Sequence, residues 1–201
     1  MQAKITRHLS QDPVLDRLIQ RIPFPKHSSA SKGVYQDLLG SIISQQLSGK
    51  VATVIQNRLL ALFDDGIPHP EAVLALEFEK LRSVGLSNQK TNYIRNVAEF
   101  FSRENIENKD WQGMDNEAII KYLTQIKGVG KWTVEMILMF SLDRPDVMPL
   151  DDYGIQSGMA ALYNLNETGI ALKNRMLEIS EPWRPYRSYG CYYVWRYKDG
   201  A

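Results

Sequence analysis

Two adjacent carboxylates, Asp151 and Asp152, follow Pro149 and Leu150 and precede Tyr153 and Ile155. Upstream, a glycine turn, Gly128-Val129-Gly130, lies between Lys127 and Lys131. A preorganised carboxylate can stabilise positive charge that develops in a reaction and can orient water for attack. The glycine turn suits a different task. Glycine has no Cβ and tolerates positive φ, so the backbone can approach another surface closely and point successive amide N–H groups outward as a nest for an anion. With the positive end of a following helix behind it and two lysines beside it, the natural ligand is a phosphate of a nucleic acid backbone. Two plainer readings stand beside these. Gly-x-Gly also ends one helix and starts another at a sharp angle, and either aspartate can cap a helix that begins at Tyr153.

The elements that must position these residues read as helices, with no convincing strand. Ile119, Ile120, Leu123 and Ile126 recur at helical spacing up to Lys127, and a second apolar pattern runs from Trp132 through Met136, Ile137 and Phe140. The turn therefore joins two helices over 123–135. Upstream, the pattern predicts a helix over 13–22, an irregular loop over 23–32 rich in proline and serine, and a helix over 33–46. Ser48 is placed to cap the next helix, whose Val51, Val54, Ile55, Leu59, Leu62 and Phe63 form one apolar stripe ending before Asp64. Pro70 starts a short helix, 77–84 reads as another, and Ser87 caps a long one with Tyr93, Ile94, Val97, Phe100 and Phe101 inward. Beyond Asp152, helices are expected over 153–164, 167–179 and 186–195.

Composition narrows the class. A chain of 201 residues, 44% hydrophobic and 23% charged, can bury a sizeable core as one domain or two small lobes, and no apolar run approaches bilayer length. The opening residues lack the apolar core of a signal peptide, so cytoplasmic or nuclear residence is the expectation. The single cysteine, Cys191, excludes an internal disulfide framework and a four-cysteine iron-sulfur cluster. A net charge of +1 argues against broad electrostatic coating and leaves room for a local positive stripe.

The hairpin followed by Asp152 resembles the helix-hairpin-helix (HhH-GPD) DNA glycosylase superfamily, in which a loop after the second helix carries an essential aspartate. Three further segments extend the likeness over most of the chain. Residues 41–48, with Gln45, Gln46, Leu47 and Ser48, look like the segment that enters the minor groove, and 81–93 look like a second turn-and-helix element with Gly85 and Lys90. Residues 183–188 with Trp195 resemble the C-terminal segment of alkylated-purine glycosylases. Together the four are similar to the 3-methyladenine DNA glycosylase II family, without the N-terminal β-rich domain of its two-part members.

The resemblance implies an all-α, two-lobed fold with the cleft between lobes, one lobe over about 33–150 and the other formed by about 1–32 and 151–201. It implies a monofunctional enzyme that removes alkylated purines, of the 3-methyladenine and 7-methylguanine type, from duplex DNA. Asp152 is the implied catalytic acid, because the superfamily spacing Asp-x-x-Ile fits Asp152 and Ile155, and Asp151 is left as the helix cap. A base in the stack cannot be reached, so the nucleotide is rotated out. Gln46, with Leu47 beside it, is the implied wedge. The implied DNA contacts are Gln45, Gln46, Leu47, Ser48, Lys90, Lys127, Gly128, Val129, Gly130, Lys131 and Thr133. A Cβ at Gly130 is expected to offend both the close approach and the φ of the hairpin. Trp132, Met136, Tyr153 and Trp195 match base-pocket positions; methionine stands where some relatives carry tyrosine, which leaves the lesion range open.

Trp132 also stands where the bifunctional glycosylase/lyases carry a Schiff-base lysine. Lys131 is one residue off, a rotation of ~100° on a helix. No cofactor is required on this reading, and no iron-sulfur cluster is expected. Hairpin carbonyls that hold a monovalent cation (Na+ or K+) in some relatives would come from Thr124, Ile126 and Val129. The expected partner is double-stranded DNA containing alkylated bases, met by a monomer, with no membrane. Two alternatives remain: a glycosylase for oxidised or deaminated bases, and a helix-hairpin-helix module that binds damaged DNA without cutting it.

Overall fold

The computed structural model describes residues 1–25, 31–104, 106 and 109–200. Of the loop expected over 23–32, residues 26–30 fall outside the described residues. Twelve α-helices are present among the described residues, in the order α1 (Gln2–Leu9), α2 (Pro13–Ile19), α3 (Val34–Ser44), α4 (Gly49–Leu60), α5 (Pro70–Ala75), α6 (Phe78–Arg82), α7 (Asn88–Glu104), α8 (Asn116–Leu123), α9 (Lys131–Phe140), α10 (Tyr153–Tyr163), α11 (Gly169–Ser180) and α12 (Arg187–Lys198). A 3₁₀ turn, Glu181–Trp183, joins the last two. No strand occurs among the described residues, and no helix there is long and apolar enough to cross a membrane.

Some helix starts are held by an aspartate side chain. The Asp12 carboxylate accepts the amides of Val14 and Leu15 at the start of α2, 2.8 and 3.2 Å away, and Asp115 accepts that of Ala118 at 2.7 Å to open α8. Helix α1 was not expected, although Ile5 and Leu9, one turn apart, are its two buried residues. Helix α4 departs from its expected stripe. Ala52, Ile55 and Leu59 form the buried face, while Val51 and Val54 are 47% and 48% exposed. The apolar arc read from the sequence is wider than the strip the neighbouring helices cover.

Two compact units make up the chain, Met1–Ser29 with Leu138–Ala201, and Ala30–Ile137. The expected boundary near 150 thus moves back to the last turn of α9, between Ile137 and Leu138. Residues 138–150 belong with the termini because that unit holds them: the Tyr192 hydroxyl donates to the Met139 carbonyl at 3.0 Å, and Ser188 Oγ donates to that of Arg144 at 2.7 Å.

The central unit is built on α3 and α7, which pack together, with α4 against α3, and α5 and α6 against α7. Leu38, Leu39, Ile42 and Ile43 on α3 and Ile94, Val97 and Ala98 on α7 are fully buried. Each such Leu or Ile stabilises the fold by about 1.5–3 kcal/mol. The unit of the two termini is built on α12, which packs on α10, α2 and the 3₁₀ turn. Gly158 lets α10 come close to α12; a Cβ there would overlap Val194. Asp12 ties its two ends together. One carboxylate oxygen caps α2, and the other accepts the Tyr163 hydroxyl at 2.7 Å and the Trp183 indole N–H at 2.9 Å.

Candidate functional site

Asp152 is the residue before α10, and its Oδ1 accepts the amide of Ile155 at 2.8 Å. The same oxygen accepts the indole N–H of Trp195 at 2.9 Å. The helix cap expected at Asp151 is therefore made by Asp152. The Asp-x-x-Ile spacing is itself the N-cap to N3 spacing, so the geometry that fixes the carboxylate and the spacing that singled it out are one feature. Asp151 instead pairs with Lys173.

Trp195 arrives at Asp152 with its ring already placed. The indole stacks on Phe140, with centroids 5.7 Å apart and planes 27° apart, and lies 6.0 Å from Tyr192. A Cβ on Gly154 would lie 2.9 Å from the indole and 3.0 Å from Asp152 Oδ1, so only glycine leaves room for this bond. Tyr192 is buried, and burial pushes its phenol up from the usual tyrosine range. Tyr153 is 77% exposed, with the Lys198 ammonium 5.0 Å over its ring.

The C-terminal segment 183–188 anchors the loop that leads to Asp152, a role the sequence did not reveal. The Arg187 guanidinium, 11% exposed, donates to Asp146 Oδ1 at 2.6 Å and to Oδ2 at 3.1 Å, and Arg184 donates to the same carboxylate at 2.8 Å. Ser188 Oγ accepts the amide of Val147 at 2.9 Å while donating to the Arg144 carbonyl. Trp183 is buried beside Asp12 and belongs to the core.

In the central unit, the hairpin confirms a special backbone at one glycine and not the other. Gly128 has φ +106°, and a Cβ there would overlap the Tyr93 ring. Gly130 has no such φ and nothing within 4 Å of its Cβ position, so its expected φ requirement belongs to Gly128. The Val129 side chain is buried, and its amide donates to the Ile126 carbonyl at 3.0 Å. That amide is spent within the turn. The Thr133 side chain is buried as well. Burial takes the Val129 and Thr133 side chains off the surface, so any contact from these two residues falls to the backbone, and the N–H groups in the first turn of α9 lack i−4 partners. Lys127, Gly130 and Lys131 are exposed beside them. Lys131 Nζ lies 3.7 Å from Glu135 Oε1, which is directed along its own helix. Trp132 is 39% exposed, which counts against a purely core role, and Met136 one turn on is half-buried.

The segment after α3 has left the helix by Gln45, two residues sooner than the pattern predicts. Gln46 has φ +57°, a left-handed conformation that costs a non-glycine residue about 1–2 kcal/mol. Gln46, Leu47 and Ser48 are exposed, and the amide of Leu47 donates to the Ser44 carbonyl at 3.1 Å. Ser48 occupies the cap position of α4 without a side-chain cap bond. Lys90, expected on a phosphate, donates instead to the carbonyls of Ile43 and Gln45 at 2.7 and 2.6 Å. Burial lowers its ammonium pKa from the usual lysine value.

Known proteins resemble most of the chain in sequence and in fold. The family model for HhH-GPD superfamily base excision DNA repair proteins matches residues 39–185. The chain is 38% identical over 174 residues, 86% of its length, to a Schizosaccharomyces pombe protein named DNA-3-methyladenine glycosylase 1, and spans 75% of that relative. A solved S. pombe 3-methyladenine DNA glycosylase in complex with abasic DNA superposes with a TM-score of 0.87 at 35% identity, covering 98% of both chains. A Bacillus halodurans structure described as a DNA-3-methyladenine glycosidase gives 0.81 at 33% identity, covering 96% of this chain and 88% of that one.

Proposed function

The chain belongs to the HhH-GPD superfamily of base excision DNA repair proteins, and we propose that it is a monofunctional DNA glycosylase that hydrolyses the N-glycosidic bond of alkylated purines in duplex DNA. The observation that carries this reading is the Asp152 carboxylate, held by the Ile155 amide and the Trp195 indole. A purine alkylated at N3 or N7 is cationic and leaves as a neutral base, taking the electron pair of the glycosidic bond. Strong general acid is not needed. Positive charge passes to the sugar, where a fixed carboxylate stabilises it. Water then bonds to the anomeric carbon and gives up a proton, leaving an abasic site.

The remaining roles divide between the two units. In the central unit, the exposed amides and lysines at the start of α9 hold a backbone phosphate, and Gln46 and Leu47 fill the gap left by the extruded nucleotide. In the other unit, Tyr153 and Trp195 contribute aromatic surface that suits a cationic purine. Trp132 replaces the amine that a lyase would need, and Lys131 is directed at Glu135. No cofactor takes part. Carbonyl oxygens suit a monovalent cation, and that of Ile126 keeps a second lone pair after accepting the Val129 amide. Thr124, Ile126 and Val129 would therefore hold a Na+ or K+ ion that stiffens the turn. The enzyme acts as a monomer on duplex DNA, in the cytoplasm of a prokaryote or the nucleus of a eukaryote.

Single-turnover excision tests the acid. Asp152→Asn lowers the rate of base release at least a hundred- to a thousandfold, roughly the loss seen when one preorganised stabilising group is removed. Its affinity for a duplex carrying an abasic analogue stays within a few-fold of the parent. Asp151→Asn loses only an exposed ion pair, worth about 0–1 kcal/mol, and stays near full rate. Equal losses in the two variants, or full activity in the first, would remove Asp152 from this role.

A further inference from the structure

Lys90 lies in the first turn of α7, and Ser87 Oγ accepts its amide at 3.2 Å. Its side chain reaches back to α3. There the ammonium donates to two carbonyls, Ile43 at 2.7 Å and Gln45 at 2.6 Å, which flank Ser44, the last residue of the helix. The final carbonyls of a helix have no amide partner and carry the negative end of its dipole, so a cation with three donors is well matched to them. Immediately beyond lies Gln46 in its left-handed conformation. Such a conformation in a side-chain-bearing residue persists only where the surroundings fix it. Two contacts do so from the helix side: Lys90 on the carbonyl of Gln45, and the Leu47 amide on that of Ser44 at 3.1 Å.

We infer that Lys90 is a positioning residue for the wedge, holding the turn over 45–48 in its inserting conformation before duplex DNA arrives. The inference rests on the reading of Gln46 as the wedge. It also replaces the role that residue type suggests, because an ammonium turned onto two backbone carbonyls at these distances is directed into the protein. A turn fixed in advance loses no conformational freedom when it enters the groove, so the benefit appears in the step where the nucleotide is extruded.

The test compares Lys90→Met, which keeps the length of the side chain and removes its donors, with Gln46→Ala and the double variant. The probes are a duplex with a single 7-methylguanine for single-turnover excision and one with a tetrahydrofuran abasic analogue for binding across a salt series. Lys90→Met slows excision about tenfold, and the double variant is no slower than the slower single variant within about twofold, because both changes act through one side chain. The slope of log affinity against log salt stays that of the parent. A slope reduced by about 0.9 would show a phosphate contact and overturn the inference, as would losses that multiply in the double variant. Full excision by Lys90→Met alongside slow excision by Gln46→Ala would overturn it while sparing the wedge. Full excision by Gln46→Ala would remove the wedge reading and this inference with it. Should Lys90→Met fail to fold, Lys90→Arg serves instead. It keeps the charge for a phosphate but not the donor geometry for two carbonyls, so slow excision with parental binding supports the inference and unchanged excision overturns it.

Discussion

Trp195 joins two demands in one ring. Its face stacks on Phe140, and its edge donates to Asp152. The two can be separated by Trp195→Phe, which keeps an aromatic face and deletes the N–H. A hydrogen bond to a charged group contributes about 1.5–3 kcal/mol, so the single-turnover rate falls roughly ten- to a hundredfold while DNA affinity changes little. An unchanged rate would mean that the Ile155 amide alone holds the carboxylate. The spacing of Asp152 and Ile155 was legible in the sequence because both partners lie in one helix turn. The bond from the indole was not: the resemblance marked Trp195 as a pocket residue, but it comes from a helix much later in the chain and nothing local shows that its N–H reaches the acid. Gly154 was the available signal: a glycine in the first turn of a helix, beside a carboxylate, marks a close neighbour.

At the scale of elements, the hairpin turn assigns different work to its two glycines. Gly128→Ala meets both the φ of +106° and the Tyr93 ring, and the variant loses on the order of 1–3 kcal/mol of stability, visible as a lower melting temperature. Gly130→Ala has open space and ordinary φ. It melts like the parent and binds every duplex more weakly, damaged or not, because the added methyl group stands where the phosphate backbone approaches. Unchanged affinity with an intact fold would make the hairpin only a structural turn. The anchor of the loop before Asp152 gives a second test. Asp146→Ala leaves the Arg187 guanidinium, 11% exposed, without its carboxylate, and breaking such a pair costs about 3–5 kcal/mol in denaturant melts. A loss below about 1 kcal/mol would place that pair among ordinary surface ion pairs. Periodicity identified most of the helices, since apolar spacing and caps are local properties. It could not tell that Val51 and Val54 face outward or that Lys90 is committed to α3, because both depend on which neighbours happen to cover a face.

For the whole molecule, the helical class and the order of motifs were written in the sequence, and the division after Ile137 was not. That division depends on bonds from α12 to the segment after α9, such as Tyr192 to Met139 and Ser188 to Arg144. The same fold serves bifunctional and monofunctional chemistry, so the account depends on a carboxylate at 152 and an indole at 132. The direct test is to incubate the protein with a methylated duplex, identify the free bases released, and examine the strand before and after alkali, with borohydride present in a parallel reaction. The account predicts free 3-methyladenine and 7-methylguanine, a strand that breaks only after alkali or heat, and no covalent adduct. Release of oxidised or deaminated bases alone, binding without any release, or an adduct trapped by borohydride would contradict it.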